Sequence, residues 1–495
     1  MKLPHWLTTA VLTTLVRLPL VALLYPGRDE AAYAYWSRNP EPGYALLLQG
    51  YLWFFSLFSS SHIFTLRVPA LLLGLIALIL YDKLLQERRC TEHSRFLALT
   101  IFAFCPWQIY TGSIIHPDAL QFIVLLLFLL SFKKQNELAL AVFAGLAVLA
   151  KPSGMIILFF ALFLFLIWPA PGRRSRFVLA AMAVLIASPA LINLNLTMVN
   201  AIAAYGVLGA SMPPVVAVIM GMGPTLLLGG PLLPVMAWGG IRIHFEKGWC
   251  RREIEFDDVV FGLGIAFLII FGGAAVFRGQ IKGNWLLPAL FLLWPRALPM
   301  LKPKILQLLA LLTVLSGLGT VGLFCNPDLV ARIESRFSTL ASSYVFQRGQ
   351  REDNFPGVTT WSERLLEYNS IKPFGEKILK LWKNAQDQRG RPRWIISDDY
   401  GLAAQLALEW GGDTKMIVPD DGIFYRSMPP DHIDKLEGGV IIVGVYKKPN
   451  AIWHRMKATS RLGTMQHPVT KVSLYLASSN GKLTAPNPKM EEIAK

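Results

Sequence analysis

Three carboxylates stand where a membrane protein could use them. Asp29 and Glu30, preceded by Arg28, directly follow the apolar stretch that opens the chain, and Asp118 follows His116 and Pro117 at the start of another apolar run. Ionisable groups inside or at the rim of a membrane are functional hypotheses by default, because an unpaired charge there is costly. A carboxylate so placed can remove or orient a proton. The plainer alternative is that Asp29 and Glu30 cap a helix beginning at Ala31, and that Asp118 caps one after Pro117. For the first pair, the sequel Asp29-Glu30-Ala31-Ala32-Tyr33-Ala34-Tyr35-Trp36 favours an amphipathic helix in the interface, with its carboxylates at the level of lipid headgroups. For Asp118, capping and catalysis are compatible, and both stay open. His116 reads as an interface histidine, since no His/Asp/Glu set with ligand spacing surrounds it. Arg17, inside the first apolar run beside Pro19, needs a buried carbonyl or a lipid phosphate as partner. Cys90, Cys105, Cys250 and Cys325 show neither CxxC nor Cys/His spacing, so neither a zinc site nor a disulfide framework is supported.

The elements that must hold these residues are announced by composition. Of 495 residues, 54% are hydrophobic and 16% charged, against about 25% charged in soluble proteins. Mean hydropathy is +0.45, which excludes an ordinary cytosolic enzyme and a disordered or collagen-like chain. The 48 Lys and Arg exceed the 32 Asp and Glu, for a net charge of +16. Residues 1–325 are apolar yet hold 24 basic and 13 acidic residues. Their basic residues cluster between apolar runs: Lys83, Arg88, Arg89 and Arg95; Lys133 and Lys134; Arg173, Arg174 and Arg176; Arg242, Lys247, Arg251 and Arg252; Lys302 and Lys304. That is the positive-inside pattern of a multispanning protein. Nucleic-acid binding would instead need a contiguous basic face with stacking aromatics.

Apolar stretches able to cross, or nearly cross, roughly 30 Å of hydrocarbon cover residues 5–25, 62–81, 96–112, 117–132, 138–150, 155–168, 177–194, 215–240, 259–277, 285–300 and 305–325. About eleven transmembrane helices are therefore expected. Residues 138–168 could form one long kinked helix around Lys151-Pro152-Ser153-Gly154, but two short crossings keep the flanking basic clusters on one side. With a cytoplasmic start, the odd count places the C-terminal region outside, together with residues 26–61, the turn at Ile115-His116-Pro117-Asp118, and residues 278–284. The expected organisation is a transmembrane domain over 1–325 with a first external loop at 26–61, and an external linker over 326–390. That linker is loop-rich to 360 and carries amphipathic helices broken at Pro373. A small α/β domain over 391–485 and a disordered tail over 486–495 complete it. Strand candidates lie at 393–397, 415–418, 440–446 and 471–477, with a helix at 400–410. No Gly-rich phosphate loop accompanies them.

Several of these segments together resemble a family. They are the Asp29-Glu30 pair; Phe64-Thr65-Leu66-Arg67-Val68-Pro69-Ala70-Leu71-Leu72-Leu73-Gly74; His116-Pro117-Asp118-Ala119; the Leu149-Ala150-Lys151 ending of residues 144–151; and Lys282-Gly283-Asn284-Trp285-Leu286-Leu287-Pro288-Ala289. In this order, the chain is similar to polyprenyl-phosphate-dependent glycosyltransferases of the GT-C superfamily, in the group containing protein O-mannosyltransferases and the aminoarabinose transferase of lipid A. Residues Ser397-Asp398-Asp399-Tyr400-Gly401-Leu402-Ala403-Ala404-Gln405-Leu406-Ala407 are similar to a segment of the external domain of many bacterial members.

The resemblance implies a GT-C-like fold and transfer of a sugar from a polyprenyl-phosphate donor to a lipid, glycan or protein acceptor, outside the cytoplasm and by inverting single displacement. Short loops and the bacterial-type C-terminal segment point to a bacterial inner membrane, and, because the external carboxylates lack ligand spacing, no cofactor and no metal are expected. It makes Asp29 the base, with Glu30 orienting acceptor or helix; neighbouring helical residues point about 100° apart and would not share one task. Asp118 is the further catalytic candidate. Lys282, Arg278, Lys151 and Arg67 are the candidate cations for the donor phosphate, against the alternative that each snorkels to the interface. Where relatives carry a basic residue before a Pro-Pro pair, this chain reads Asn39-Pro40-Glu41-Pro42-Gly43-Tyr44, and Arg38 is the nearby substitute. Tyr44 and His116 are substrate-binding candidates, although Tyr44, Tyr51, Trp53 and Trp107 also suit interface packing. A lipid or solute transporter or flippase is the competing reading, since it too needs intramembrane charge. Transporters often show paired, Gly/Pro-broken segments; residues 221–234 are Gly/Pro-rich but have no matching partner.

Overall fold

The computed structural model describes residues 4–40, 44–59, 61–87, 91–167, 175–192, 229, 233–246, 255–278, 284–341, 361–386, 392–397, 400–411, 414–417, 440–444, 456–466 and 473–483. The chain divides into two compact units, Met1–Ala22 with Pro42–Gly322, and Leu23–Glu41 with Leu323–Lys495.

The helices in chain order begin with α1 (His5–Leu23), α2 (Arg28–Arg38, in the second unit) and α3 (Leu46–Ser56). A π-helical turn, Ile63–Arg67, leads into α4 (Val68–Gln86), followed by α5 (Glu92–Phe104), α6 (Pro106–Thr111), α7 (Pro117–Lys133) and α8 (Glu137–Ala150). A 3₁₀ turn, Pro152–Gly154, precedes α9 (Met155–Ile167), and α10 spans Ser175–Ile192. Then come α11 (Leu233–Glu246), α12 (Phe256–Arg278), α13 (Leu287–Leu293) and α14 (Pro303–Cys325). Among the described residues, His5–Leu23, Ile63–Gln86, Ser175–Ile192, Phe256–Gly273 and Pro303–Cys325 are long and apolar enough to cross a membrane, and four shorter apolar helices accompany them. In hydrocarbon every backbone polar group must be satisfied within the segment, which a helix does. The chain is a multi-pass membrane protein.

Proline chemistry explains where the helices depart from the expected spans. The stretch 96–112 is divided at Cys105, whose extended backbone (ψ 143°) is what a following proline favours. The stretch 285–300 is only seven residues of α-helix, continued by a 3₁₀ segment, Trp294–Met300, that contains Pro295 and Pro299. Helix α11 runs past the expected end at Gly240 to Glu246, while residues 193–228 of the expected spans lie outside the described residues. The expected external loop 26–61 holds α2 and the apolar α3, which packs on α8 and the π-helical turn.

At Lys151 the backbone is extended (φ −164°, ψ 146°), ending α8 before Pro152. Helix α9 then folds back along α8. A Cβ added at Gly154 would lie 1.9 Å from the Ala147 carbonyl oxygen, so only glycine fits this reversal.

An aromatic cluster binds the middle of the first unit. Tyr81 stacks on Phe102 at 4.1 Å, and Phe291 meets Phe102 edge-on at 5.1 Å. Trp107, almost fully buried, meets Phe122 edge-on at 5.4 Å, which makes it a core residue and not a sugar platform. The Tyr81 hydroxyl donates to the Phe291 carbonyl at 2.9 Å, so no polar group of that ring is stranded. Arg17 takes the carbonyl alternative: its Nη2 donates to the Gln108 carbonyl at 2.9 Å, and Gln108 Nε2 donates to the Gly74 carbonyl at 3.2 Å. Two glycines make room for the guanidinium. A Cβ at Gly112 would fall 2.5 Å from Arg17 Cζ, and one at Gly74 2.8 Å from Nη1.

The second unit contains α2, α15 (Pro327–Ala341), α16 (Trp361–Gln386) and α17 (Tyr400–Trp410). Its mixed five-stranded sheet has the order β2-β1-β3-β5-β4, with β1 (Trp394–Ser397), β2 (Lys415–Ile417), β3 (Val440–Gly444), β4 (Met456–Gln466) and β5 (Ser473–Leu483). Strand β1 pairs in parallel with β2 and β3, while β5 pairs antiparallel with β3 and β4. Ile371, Phe374, Ile378 and Trp382 of α16 pack with Ile395, Leu402, Leu406 and Trp410. Gly411, at φ 63°, ends α17 in the left-handed conformation that glycine adopts at low cost. Three features depart from the expected pattern. Residues 327–341 are helical where a loop-rich stretch was expected; α16 passes through Pro373 unbroken; and β4 is an additional strand.

Candidate functional site

In the first unit, three segments far apart in sequence converge on one carboxylate. Asp118 sits in the first turn of α7, whose N-terminal peptide dipoles favour a negative charge there. Its Oδ1 pairs with Lys151 Nζ, and its Oδ2 accepts from Asn284 Nδ2. Asp118 is 6% exposed and the Lys151 side chain 12%, so the pair is shielded from water. Lys151 reaches this place because Pro152 stops α8 and the extended Lys151 backbone turns its side chain out of the helical register. Asn284, just before α13, was not singled out by the sequence reading. Its family segment was, and a polar amide next to Lys282 is the signal that could have found it.

His116, and not Asp118, is the N-cap of α7. Its Nδ1 lies 3.3 Å from the Asp118 backbone N–H and 3.3 Å from Asp118 Oδ2. The two contacts are alternatives: an unprotonated Nδ1 accepts the backbone N–H, whereas a protonated one donates to the carboxylate. One turn along α7, Gln121 Oε1 accepts from Ser153 Oγ at 2.9 Å, tying the Pro152–Gly154 turn to the same helix face. The π-helical turn turns Arg67 fully inward, with Nη1 3.4 Å from the Ser113 carbonyl on the connection that leads to His116.

In the second unit, α2 is largely buried. Ala31, Ala32, Tyr33, Ala34 and Trp36 are all covered, so the expected interface helix is instead a protein-packed one. It packs against α17. Gln405 Nε2 donates to the Pro26 carbonyl at 3.1 Å, the Met416 N–H donates to Tyr35 Oη at 3.0 Å, and the Tyr25 hydroxyl donates to Glu409 at 2.6 Å. Burial, followed by the Glu409 carboxylate, raises the Tyr25 phenol well above its ordinary range, so it stays a donor. A Cβ at Gly401 would approach Arg28 Cβ to 2.7 Å, so the family-like Tyr400-Gly401 segment is also where α2 comes closest to α17.

Asp29 and Glu30 have separate environments on that helix. Glu30 is 2% exposed and its Oε2 accepts the Gly27 N–H at 3.1 Å, closing the N-terminus of α2. Asp29 is exposed in the same turn. Arg38 is exposed in the last turn of α2, and half-buried Tyr44 uses its backbone carbonyl to accept from Gln49 at 2.7 Å. Lys282 lies outside the described residues, as does the side chain of Arg278 at the end of α12. Among the described residues, no group of three or more His, Cys, Asp or Glu side chains converges as a metal site would require.

No family model matches the chain, and a search of curated proteins finds no match. Solved structures do match. The crystal structure of ArnT from Cupriavidus metallidurans bound to undecaprenyl phosphate aligns with a TM-score of 0.53 at 14% identity, over 95% of this chain and 97% of that one. The apo structure of ArnT from the same organism aligns with a TM-score of 0.54 at 12% identity, over 97% and 99%. Along nearly its whole length, the chain shares the fold of these ArnT structures.

Proposed function

We propose that this protein is an integral membrane glycosyltransferase that moves a sugar from a polyprenyl-phosphate donor to a lipid, glycan or protein acceptor on the extracytoplasmic face. The observation that carries this reading is the near full-length likeness to ArnT, crystallised with undecaprenyl phosphate. The buried Asp118–Lys151–Asn284 cluster gives that likeness a chemical anchor in this chain.

In the proposed reaction an acceptor hydroxyl attacks the anomeric carbon, the bond from that carbon to the phosphate oxygen breaks, and polyprenyl phosphate departs. A phosphate monoester is a good leaving group, so no protonating acid is required. The acceptor's proton passes to Asp29, the carboxylate left exposed once Glu30 is committed to the Gly27 N–H. Lys151 has three donors, of which Asp118 takes one, and the others serve the phosphate charge that grows as the bond breaks. Asp118 then positions Lys151, since its two oxygens are engaged by Lys151 and Asn284. Lys282, Arg278 and Arg38 are further cations for the donor, His116 and Tyr44 further substrate contacts, and Arg67 braces the loop before His116. In this reading the N-terminus is cytoplasmic and the second unit is outside, supported by the basic clusters between the apolar runs, and the membrane is a bacterial inner membrane.

The test uses proteoliposomes of the purified protein, undecaprenyl-phosphate sugars labelled in the sugar, and envelope extract as acceptor pool. Label should leave the donor, appear on an acceptor, and be matched by released undecaprenyl phosphate. Movement of labelled donor between leaflets with its sugar–phosphate bond intact would establish the transporter reading instead.

A further inference from the structure

Helix α15 begins one residue after a membrane span ends. Asn326 alone separates it from α14, which amounts to about 4 Å of chain. The break is built in: Asn326 Oδ1 accepts the Leu329 N–H at 3.0 Å, and Pro327 and Asp328 fill the first turn, a strong helix-start combination. Leu329 and Ile333, one turn apart, are exposed, whereas Val330 beside them is buried. The sequence continues the same spacing with Phe337 and Leu340, and sets Asp328, Arg332, Glu334 and Arg336 between them. On α14, Leu308, Leu311, Leu315, Leu318 and Leu323 are likewise exposed, as lipid-facing residues of a span are.

We infer that α15 lies along the external membrane surface, with Leu329 and Ile333 sunk into the boundary between headgroups and acyl chains. A polar helix that leaves a span could turn directly into water, but this one keeps an exposed apolar stripe of its own, Leu329 and Ile333. Water would leave that stripe unfavourably solvated, whereas the interface accepts it. Two acidic and two basic residues between Asp328 and Arg336 cancel, so the attraction is apolar and indifferent to lipid charge.

The test uses the full-length wild-type protein in phosphatidylcholine vesicles containing a phosphatidylcholine with a diazirine near the glycerol end of one acyl chain. After illumination, adducts are mapped by peptide mass spectrometry, with α14 as internal reference. Leu329 and Ile333 should carry at least about five times the adduct of Asp328 and Arg332. Adducts on α14 with none on α15, or equal labelling of both faces, would overturn the proposal, since the stripe would then face water or protein. Replacing half the lipid by phosphatidylglycerol should leave the ratio unchanged within twofold. A several-fold rise would show that charge, and not the apolar stripe, holds the helix.

Discussion

Asp118 and the Asp29–Glu30 pair both sit in the first turn of a helix, yet their surroundings are opposite. Asp118 is buried and pairs with Lys151 and Asn284, 33 and 166 residues away. Glu30 is buried on a local backbone N–H three residues back, and Asp29 beside it is exposed. A carboxylate whose two oxygens hold two other segments defines architecture and fixes a cation. Asp29, exposed beside a neighbour that accepts the Gly27 N–H, has the solvent access that Asp118 lacks. Helix-start position alone cannot separate these roles; the partners do.

The largest effects should come from splitting the buried pair. Asp118→Ala leaves an ammonium without its counter-charge, and Lys151→Ala leaves a carboxylate so; each should cost about 3–5 kcal/mol, the usual penalty for breaking a buried ion pair. Thermal unfolding of the purified protein measures it. The double variant Asp118→Ala, Lys151→Ala should be less destabilised than the sum of the single ones, and an additive result would mean that the pair is not coupled.

A smaller effect is expected where α2 meets α17. Gly401→Ala pushes on Arg28 Cβ and should cost about 1–3 kcal/mol, as overpacking does. Amide exchange should accelerate across Arg28–Arg38 while residues of α7 keep their protection. Unchanged exchange in α2 would show that this approach is not needed to hold the helix.

The smallest effect belongs to the cap. Glu30→Ala removes the acceptor for the Gly27 N–H and should cost about 1 kcal/mol. Glu30→Gln keeps an acceptor oxygen and should restore most of it, as read by thermal unfolding. If the two variants are equally destabilised, charge and not the hydrogen bond is what Glu30 supplies.

Much of the membrane unit was legible because apolar run length and basic clusters report spans directly. The break at Lys151-Pro152 was legible for a local reason, proline after lysine in an apolar stretch. What escaped the sequence depends on distant partners. The pairing of Asn284 with Asp118 joins residues 166 positions apart, and the packing of α2 on α17 crosses more than 360. The aromatics of α2 suggested lipid because Tyr33 and Trp36 suit an interface as well as they suit a protein core. Helix α15 was passed over because its charged residues offset its apolar ones, which hides a spacing visible only at helical period. Pro373 looked like a break, yet α16 continues through it with Ile371 and Phe374 fixed in the core on either side.

The division of labour between the two carboxylate centres is tested most directly at Asp29. Asp29→Asn keeps the size of the side chain, leaves the Glu30–Gly27 closure of α2 in place and removes the proton acceptor. With undecaprenyl-phosphate sugars as donors and protein of unchanged thermal stability, transfer should fall by about 10²- to 10⁴-fold, the range for loss of a general base. Transfer within a fewfold of the unsubstituted protein would contradict the account and move the search for the base to Asp118.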